Sequence, residues 1–146
     1  LQAGKEIIKG DKVIIAAGTR PSIPKIEGCL QMASEVSKNI VVVYEPLTDR
    51  RQHHIKSEYK DLFKDVKKLY WVPSYLARED PKQEVLSPED LIKEISNPEI
   101  AEAADLNQTL KENIQKHTKA GDLVVCLSGG GGGSLDEWLR QEFNKS

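Results

Sequence analysis

The segment Asp49-Arg50-Arg51-Gln52-His53-His54 follows an apolar run, Ile40 to Tyr44, and Pro46. A guanidinium presents its donors as a fixed fork, which suits a carboxylate or a phosphate. Charged residues just past the carboxyl end of a central strand also lie where open α/β sheets bind ligands. Arg51 and its neighbour Arg50 are therefore candidates for holding an anionic ligand; the competing reading is a solvated loop that opens a helix. His53 and His54 read better as that loop's surface than as metal ligands. A metal site needs more ligands at matched spacing, and His117 is distant in sequence. No metal site is expected.

A second candidate is the run from Ser128 through Gly129, Gly130 and three further glycines to Ser134. It lies between an apolar run and a helical pattern, where backbone N–H groups can cradle an anion. The competing reading is a turn whose glycines only let the chain reverse. No lysine follows the glycines, so this is not the P-loop that holds a triphosphate. A third segment, Pro73 to Pro81, carries Tyr75 and Glu79. On residue types alone it is a polar, proline-containing loop whose Tyr75 and Glu79 could face one cleft.

These segments need a scaffold, and the chain alternates short β-branched runs with helical ones. Lys12–Ala17, Ile40–Tyr44, Leu69–Val72 and Leu123–Leu127 read as strands. Three successive valines, Val41 to Val43, imply burial on both faces, as in a central parallel strand. Helices are expected over Gly28–Lys38, along the stripe Ile55, Tyr59, Leu62, Phe63 and Val66, and from Asp105 to Lys119. Another starts at Ser87-Pro88-Glu89-Asp90, with a capping serine, a proline at the first helical position and acids in the first turn. The last opens at Ser134 with Glu137 at capping-box spacing and buries Leu135, Trp138, Leu139 and Phe143. Strands separated by helices require crossovers, and crossovers make neighbouring strands parallel. The expected fold is a single α/β domain over residues 1–146: Rossmann-like, doubly wound, mostly parallel, with helices on both faces.

Composition is compatible with that. The chain has 146 residues, 38% apolar and 30% charged, with a formal net charge of −2. That is a globular balance without a dominant sign, so neither nucleic acid nor a membrane surface is an expected partner. No apolar run approaches the roughly 20 residues of a membrane span, and no secretory leader pattern opens the chain. The two cysteines, Cys29 and Cys126, lie far apart and suit reduced thiols in a cytoplasm.

From about residue 30 onward the chain resembles the C-terminal domain of bacterial Mur ligases, in particular UDP-N-acetylmuramate–L-alanine ligases or the related murein-peptide ligases. The segment NIVVVYEPLTDRR is similar to the family's valine-rich strand running into Q-P-H-R-Y-T-R. Glu45-Pro46 stands for Q-P and Arg51 falls on the second arginine, while Leu47 and Thr48 replace the histidine and the first arginine. LYWVPSYLAREDP is similar to L-P-V-Y-x-A-G-E-x-P, and GDLVVCLSGGGGGSLDEWL to G-D-L-V-x-x-x-G-A-G-x-I. The resemblance implies a domain that closes over ATP and magnesium held mainly by a central domain. The partners it implies are the family's central and amino-terminal domains. It makes Arg51 the candidate for the incoming amino acid's carboxylate, with Ser128 to Gly130 in the same pocket.

Residues 1–29 break the pattern. The ligase family places D-D-Y-x-H-H-P ahead of the helix near Leu30, with an aspartate for the ribose; this chain has GKEIIKGDKVIIAAGTRPSIPKIEG instead. That stretch resembles the A-T-G-x-R-P-x-x-P-x-I-x-G segment of flavoprotein disulfide reductases of the dihydrolipoamide dehydrogenase type, without their G-x-G-x-x-G or C-x-x-x-x-C motifs. The absent initiator methionine points the same way, toward a hybrid or processed polypeptide. The expected function is a non-catalytic C-terminal-domain piece or hybrid of a peptidoglycan-precursor ligase, with no cofactor of its own and at most residual substrate or nucleotide contacts. Two rivals stand beside it: a fragment of a FAD/NAD-dependent disulfide oxidoreductase, and a module that self-associates through an exposed sheet edge.

Overall fold

The computed structural model describes residues 5–8, 13–16, 23–46, 56–73, 86–128 and 134–143. Within them, six strands form one sheet in the order β1-β2-β6-β3-β4-β5. They are β1 (Lys5–Ile8), β2 (Val13–Ala16), β3 (Ile40–Tyr44), β4 (Lys68–Trp71), β5 (Ala101–Ala103) and β6 (Leu123–Leu127). The helices are α1 (Ile23–Val36), α2 (Pro88–Ile92), α3 (Gln108–Lys119) and α4 (Leu135–Phe143). All neighbours from β2 to β5 are parallel; β1 pairs with β2 antiparallel at the edge. The expected Rossmann-like α/β class is the one observed.

Strands β3, β4 and β6 alternate their side chains between two buried faces, as a period of two requires. Ile40, Val42 and Tyr44 of β3, with Leu69 and Trp71 of β4 and Val125 and Leu127 of β6, meet Ile26 and Ala33 of α1 and Leu91 of α2. Val41 and Val43, with Tyr70, Val124 and Cys126, meet Leu110 and Ile114 of α3 and Leu135 and Leu139 of α4. All five residues of β3 and all five of β6 are buried. Each such aliphatic side chain contributes about 1.5–3 kcal/mol, which is why valine-rich strands belong at the centre of a two-sided sheet.

Local signals set the helix ends. The Ser87 hydroxyl accepts from the Asp90 N–H (3.1 Å), and the Asp90 carboxylate accepts from the Ser87 N–H (3.0 Å). These bonds hold the Asp90 carboxyl below the usual carboxylate range. Asn107 caps α3 by accepting from the Leu110 N–H at 3.0 Å. The same helix ends in a Schellman motif: Gly121 adopts φ +90°, its N–H donates to the Thr118 carbonyl, and the Asp122 N–H donates to the His117 carbonyl.

Three expectations are corrected. The stripe Tyr59, Leu62, Phe63 and Val66 is not an α-helix: Lys56–Tyr59 is a 3-10 turn and residues 60–65 are successive turns. Tyr59, Phe63 and Val66 are nonetheless buried, because a chain of tight turns packs them on the sheet as a helix would. The helix expected from Gly28 begins at Ile23, while that expected from Asp105 begins only at Gln108, after the Asn107 cap. Two strands, β1 and β5, carry no strong sequence signal and form as edges.

Candidate functional site

The connections locate a crevice. From β3 the chain moves through the 3-10 turn to β4, then through α2 to β5, on the α1 face of the sheet. From β5 it returns through α3, on the opposite face, to insert β6 beside β3. Segments leaving the carboxyl ends of β3 and β6 therefore diverge to opposite faces. Such a topological switch point is where open α/β sheets hold ligands.

The residues at that point are Glu45 and Ser128, each just beyond its strand. Parallel register pairs Tyr44 with Leu127, and the Glu45 N–H donates to the Leu127 carbonyl at 3.0 Å. Ser128 is fully buried and Glu45 is 4% exposed. The Ser128 hydroxyl donates to Glu45 Oε1 at 3.0 Å, and the Leu135 N–H, at the start of α4, donates to Oε2 at 3.1 Å. A carboxylate thus sits at a helix amino terminus, where the helix dipole favours negative charge. Below it, on the α1 face, lies an aromatic cluster of Tyr44, Tyr59, Phe63 and Trp71. The Tyr44 and Tyr59 hydroxyls meet at 2.8 Å, and Trp71 contacts Tyr59 and Tyr44 edge-on with centroids 5.0 and 5.2 Å away. The Trp71 indole N–H is buried without a hydrogen-bond partner.

Of the residues singled out in the sequence, Ser128 lies at the switch point. Arg50, Arg51, Tyr75, Glu79, Gly129 and Gly130 lie outside the described residues, as do His53 and His54. Their anchors are described: Pro46 after β3, Pro73 after β4 and Ser128 after β6 all stand at the carboxyl ends of adjacent strands. Glu45 is the functional-looking residue that sequence reasoning missed. Its signal was a carboxylate directly continuing a strand buried along its whole length.

The opposite pole holds a second polar assembly. Asp122, 2% exposed, accepts from Lys67 Nζ at 2.9 and 3.1 Å and lies 2.9 Å from His117 Nδ1. His117 Nε2 lies 2.8 Å from the Tyr70 hydroxyl. Burial opposes ionisation of Asp122, but the Lys67 and His117 hydrogen bonds outweigh it, so its carboxyl lies below its ordinary range. Burial, and then the charge of Glu102, push the Tyr70 phenol up to about 12. This chain joins β4, α3 and β6 at their other ends, so it is a fastening rather than part of the crevice. A groove of about 650 Å³ between α1 and residues 57–66 carries both signs of charge, including Glu27, Asp61, Lys60 and Lys64. Among the described residues no cluster of His, Cys, Asp or Glu could hold a metal ion, and no helix is long and apolar enough to cross a membrane. Both cysteines are free thiols, and burial raises the Cys126 pKa.

No family model matches the chain. Among curated proteins, the UDP-N-acetylmuramate–L-alanine ligases of Lactobacillus acidophilus, Lactobacillus helveticus and Lactobacillus johnsonii are each 29% identical to it over 94 residues. That stretch is 64% of this chain and 20% of each ligase, so the chain spans about a fifth of the length of the curated relatives it matches. Over those 94 residues the similarity supports a relationship between this chain and the Mur ligases.

Proposed function

We propose that this chain acts as the C-terminal-type domain of a cytoplasmic peptidoglycan-precursor ligase, contributing substrate contacts rather than the catalytic centre. The observation that carries the reading is the similarity over 94 residues to UDP-N-acetylmuramate–L-alanine ligases. Supporting it, the segments bearing Arg50 and Arg51, Tyr75 and Glu79, and Gly129 and Gly130 leave the carboxyl ends of three adjacent parallel strands. In this reading Arg51 takes the carboxylate of the incoming amino acid through a two-pronged hydrogen bond. The sequence has no P-loop lysine after its glycine run. In this reading, as the resemblance implies, the ATP phosphates and magnesium fall to a central domain and the chain alone is inactive. The amino-terminal strand pair, in the same reading, is a graft in the place of the ligase's own first strand: β2 supplies a parallel neighbour to β6, which asks mainly for an extended strand of matching length.

The test is direct. Purified chain is assayed for ADP release with ATP, magnesium, UDP-N-acetylmuramate and L-alanine, then for L-alanine binding by calorimetry, with and without Arg51→Ala. The reading expects no ADP, and L-alanine binding that Arg51→Ala abolishes. ADP production that survives purification would overturn the inactive assignment. L-alanine binding that is absent, or unaffected by Arg51→Ala, would remove the substrate role.

A further inference from the structure

The switch point is already filled, by the protein itself. Among the described residues, Ser128 Oγ and the Leu135 N–H are two donors at the β6–α4 junction. Both are spent on Glu45, one on each carboxylate oxygen, at 3.0 and 3.1 Å. None of the three faces solvent: Ser128 and Leu135 are 0% exposed and Glu45 is 4% exposed. The backbone of Glu45 is itself tied to β6 through the Leu127 carbonyl at 3.0 Å, which fixes the point from which the carboxylate reaches both donors.

We propose that Glu45 is the resident anion of the β6–α4 junction. It occupies the helix amino terminus in place of a ligand, closes that position to free phosphate or carboxylate, and clamps β3, β6 and α4 together. The physical reason is charge. A second anion at the same donors would have to take their hydrogen bonds from Glu45 and sit beside another carboxylate, in a site shielded from water. An anionic substrate group at this pole must then be held by other donors. The inference rests on the Glu45 geometry alone, so it stands or falls separately from the ligase reading.

The probes are sodium acetate, which reproduces the Glu45 carboxylate, and inorganic phosphate; the readouts are the Leu135 amide resonance and the melting temperature. In the wild-type protein the Leu135 amide should not move with either anion up to tens of millimolar. Glu45→Ala frees both donors. It should melt several degrees lower and recover part of that loss in acetate, beyond the effect of sodium chloride at equal ionic strength. A saturable shift of the wild-type Leu135 amide with phosphate or acetate would overturn the proposal, as would Glu45→Ala without acetate-specific recovery. If Glu45→Ala does not fold, Glu45→Gln decides, because glutamine keeps the size and removes the charge. A lowered melting temperature supports the resident-anion role, and an unchanged one refutes it.

Discussion

Removing the Asp122 carboxylate should cost the domain a large part of its stability, and the cost should depend on pH. Asp122 is 2% exposed, sits between α3 and β6, and accepts from Lys67 Nζ and His117 Nδ1. The two partners are unequal. Lys67 is 50% exposed, so solvent screens its contact, which contributes about 0.5–1 kcal/mol. His117 is 20% exposed, and its ring is also held by the Tyr70 hydroxyl at 2.8 Å. A hydrogen bond to a charged group in such a setting contributes about 1.5–3 kcal/mol. Asp122→Ala should therefore cost about 2–4 kcal/mol, against a typical total of about 5–15 kcal/mol. Because the folded carboxyl titrates below its ordinary value, the unfolded chain takes up the proton first as pH falls. The stabilisation is complete above the ordinary carboxylate range and disappears as pH falls through the lowered folded value. Urea unfolding, followed by the fluorescence of buried Trp71 and half-buried Trp138, measures this at neutral and at acid pH. Lys67→Ala serves as the control and should cost under about 1 kcal/mol. The reasoning fails if Asp122→Ala costs less than Lys67→Ala at neutral pH, or if the Asp122→Ala deficit does not shrink on acidification.

Three further outcomes follow from particular contacts. Tyr44→Phe removes one partner of a buried hydroxyl pair 2.8 Å apart and should cost about 1–2 kcal/mol in chemical denaturation; no change would mean that the pair contributes nothing net. Gly121→Ala places a Cβ at φ +90°, where no atom obstructs it. The cost should therefore be conformational only, about 1 kcal/mol by thermal melting, and a variant as stable as the parent would contradict that turn geometry. Ile14→Pro removes a backbone donor from β2, which pairs with β1 on one side and β6 on the other. It should lower stability by about 0.5–1.5 kcal/mol or more, for the lost sheet hydrogen bond. An unchanged melting temperature would show that the amino-terminal strand is dispensable.

The sequence by itself determined the elements whose signals are local. Ile40–Tyr44 and Leu123–Leu127 are strands with the expected bounds, because continuous β-branched runs fit only a strand buried on both faces. The α2 start was legible in Ser87-Pro88, and its capping box forms with Asp90, because capping is a contact over three residues. The parallel α/β class followed from strands and helices in alternation. What the tertiary structure decided is whatever joins residues far apart in the chain. Placing β6 between β2 and β3 is settled by crossover direction and by which faces α3 and α4 can cover, and no local pattern encodes it. The segment after Lys56 has a helical stripe but folds as turns, because burial of Tyr59 and Phe63 on the sheet overrides periodicity in so short a span. β5, with the sequence Ala-Glu-Ala, becomes a strand only because β4 offers it an open edge. Glu45 reads in sequence as a charge after a strand. It becomes the cap of α4 only when β6 brings Ser128 and Leu135 beside it, across 83 and 90 residues of chain. A carboxylate is stable there because those distant donors replace the water it lost.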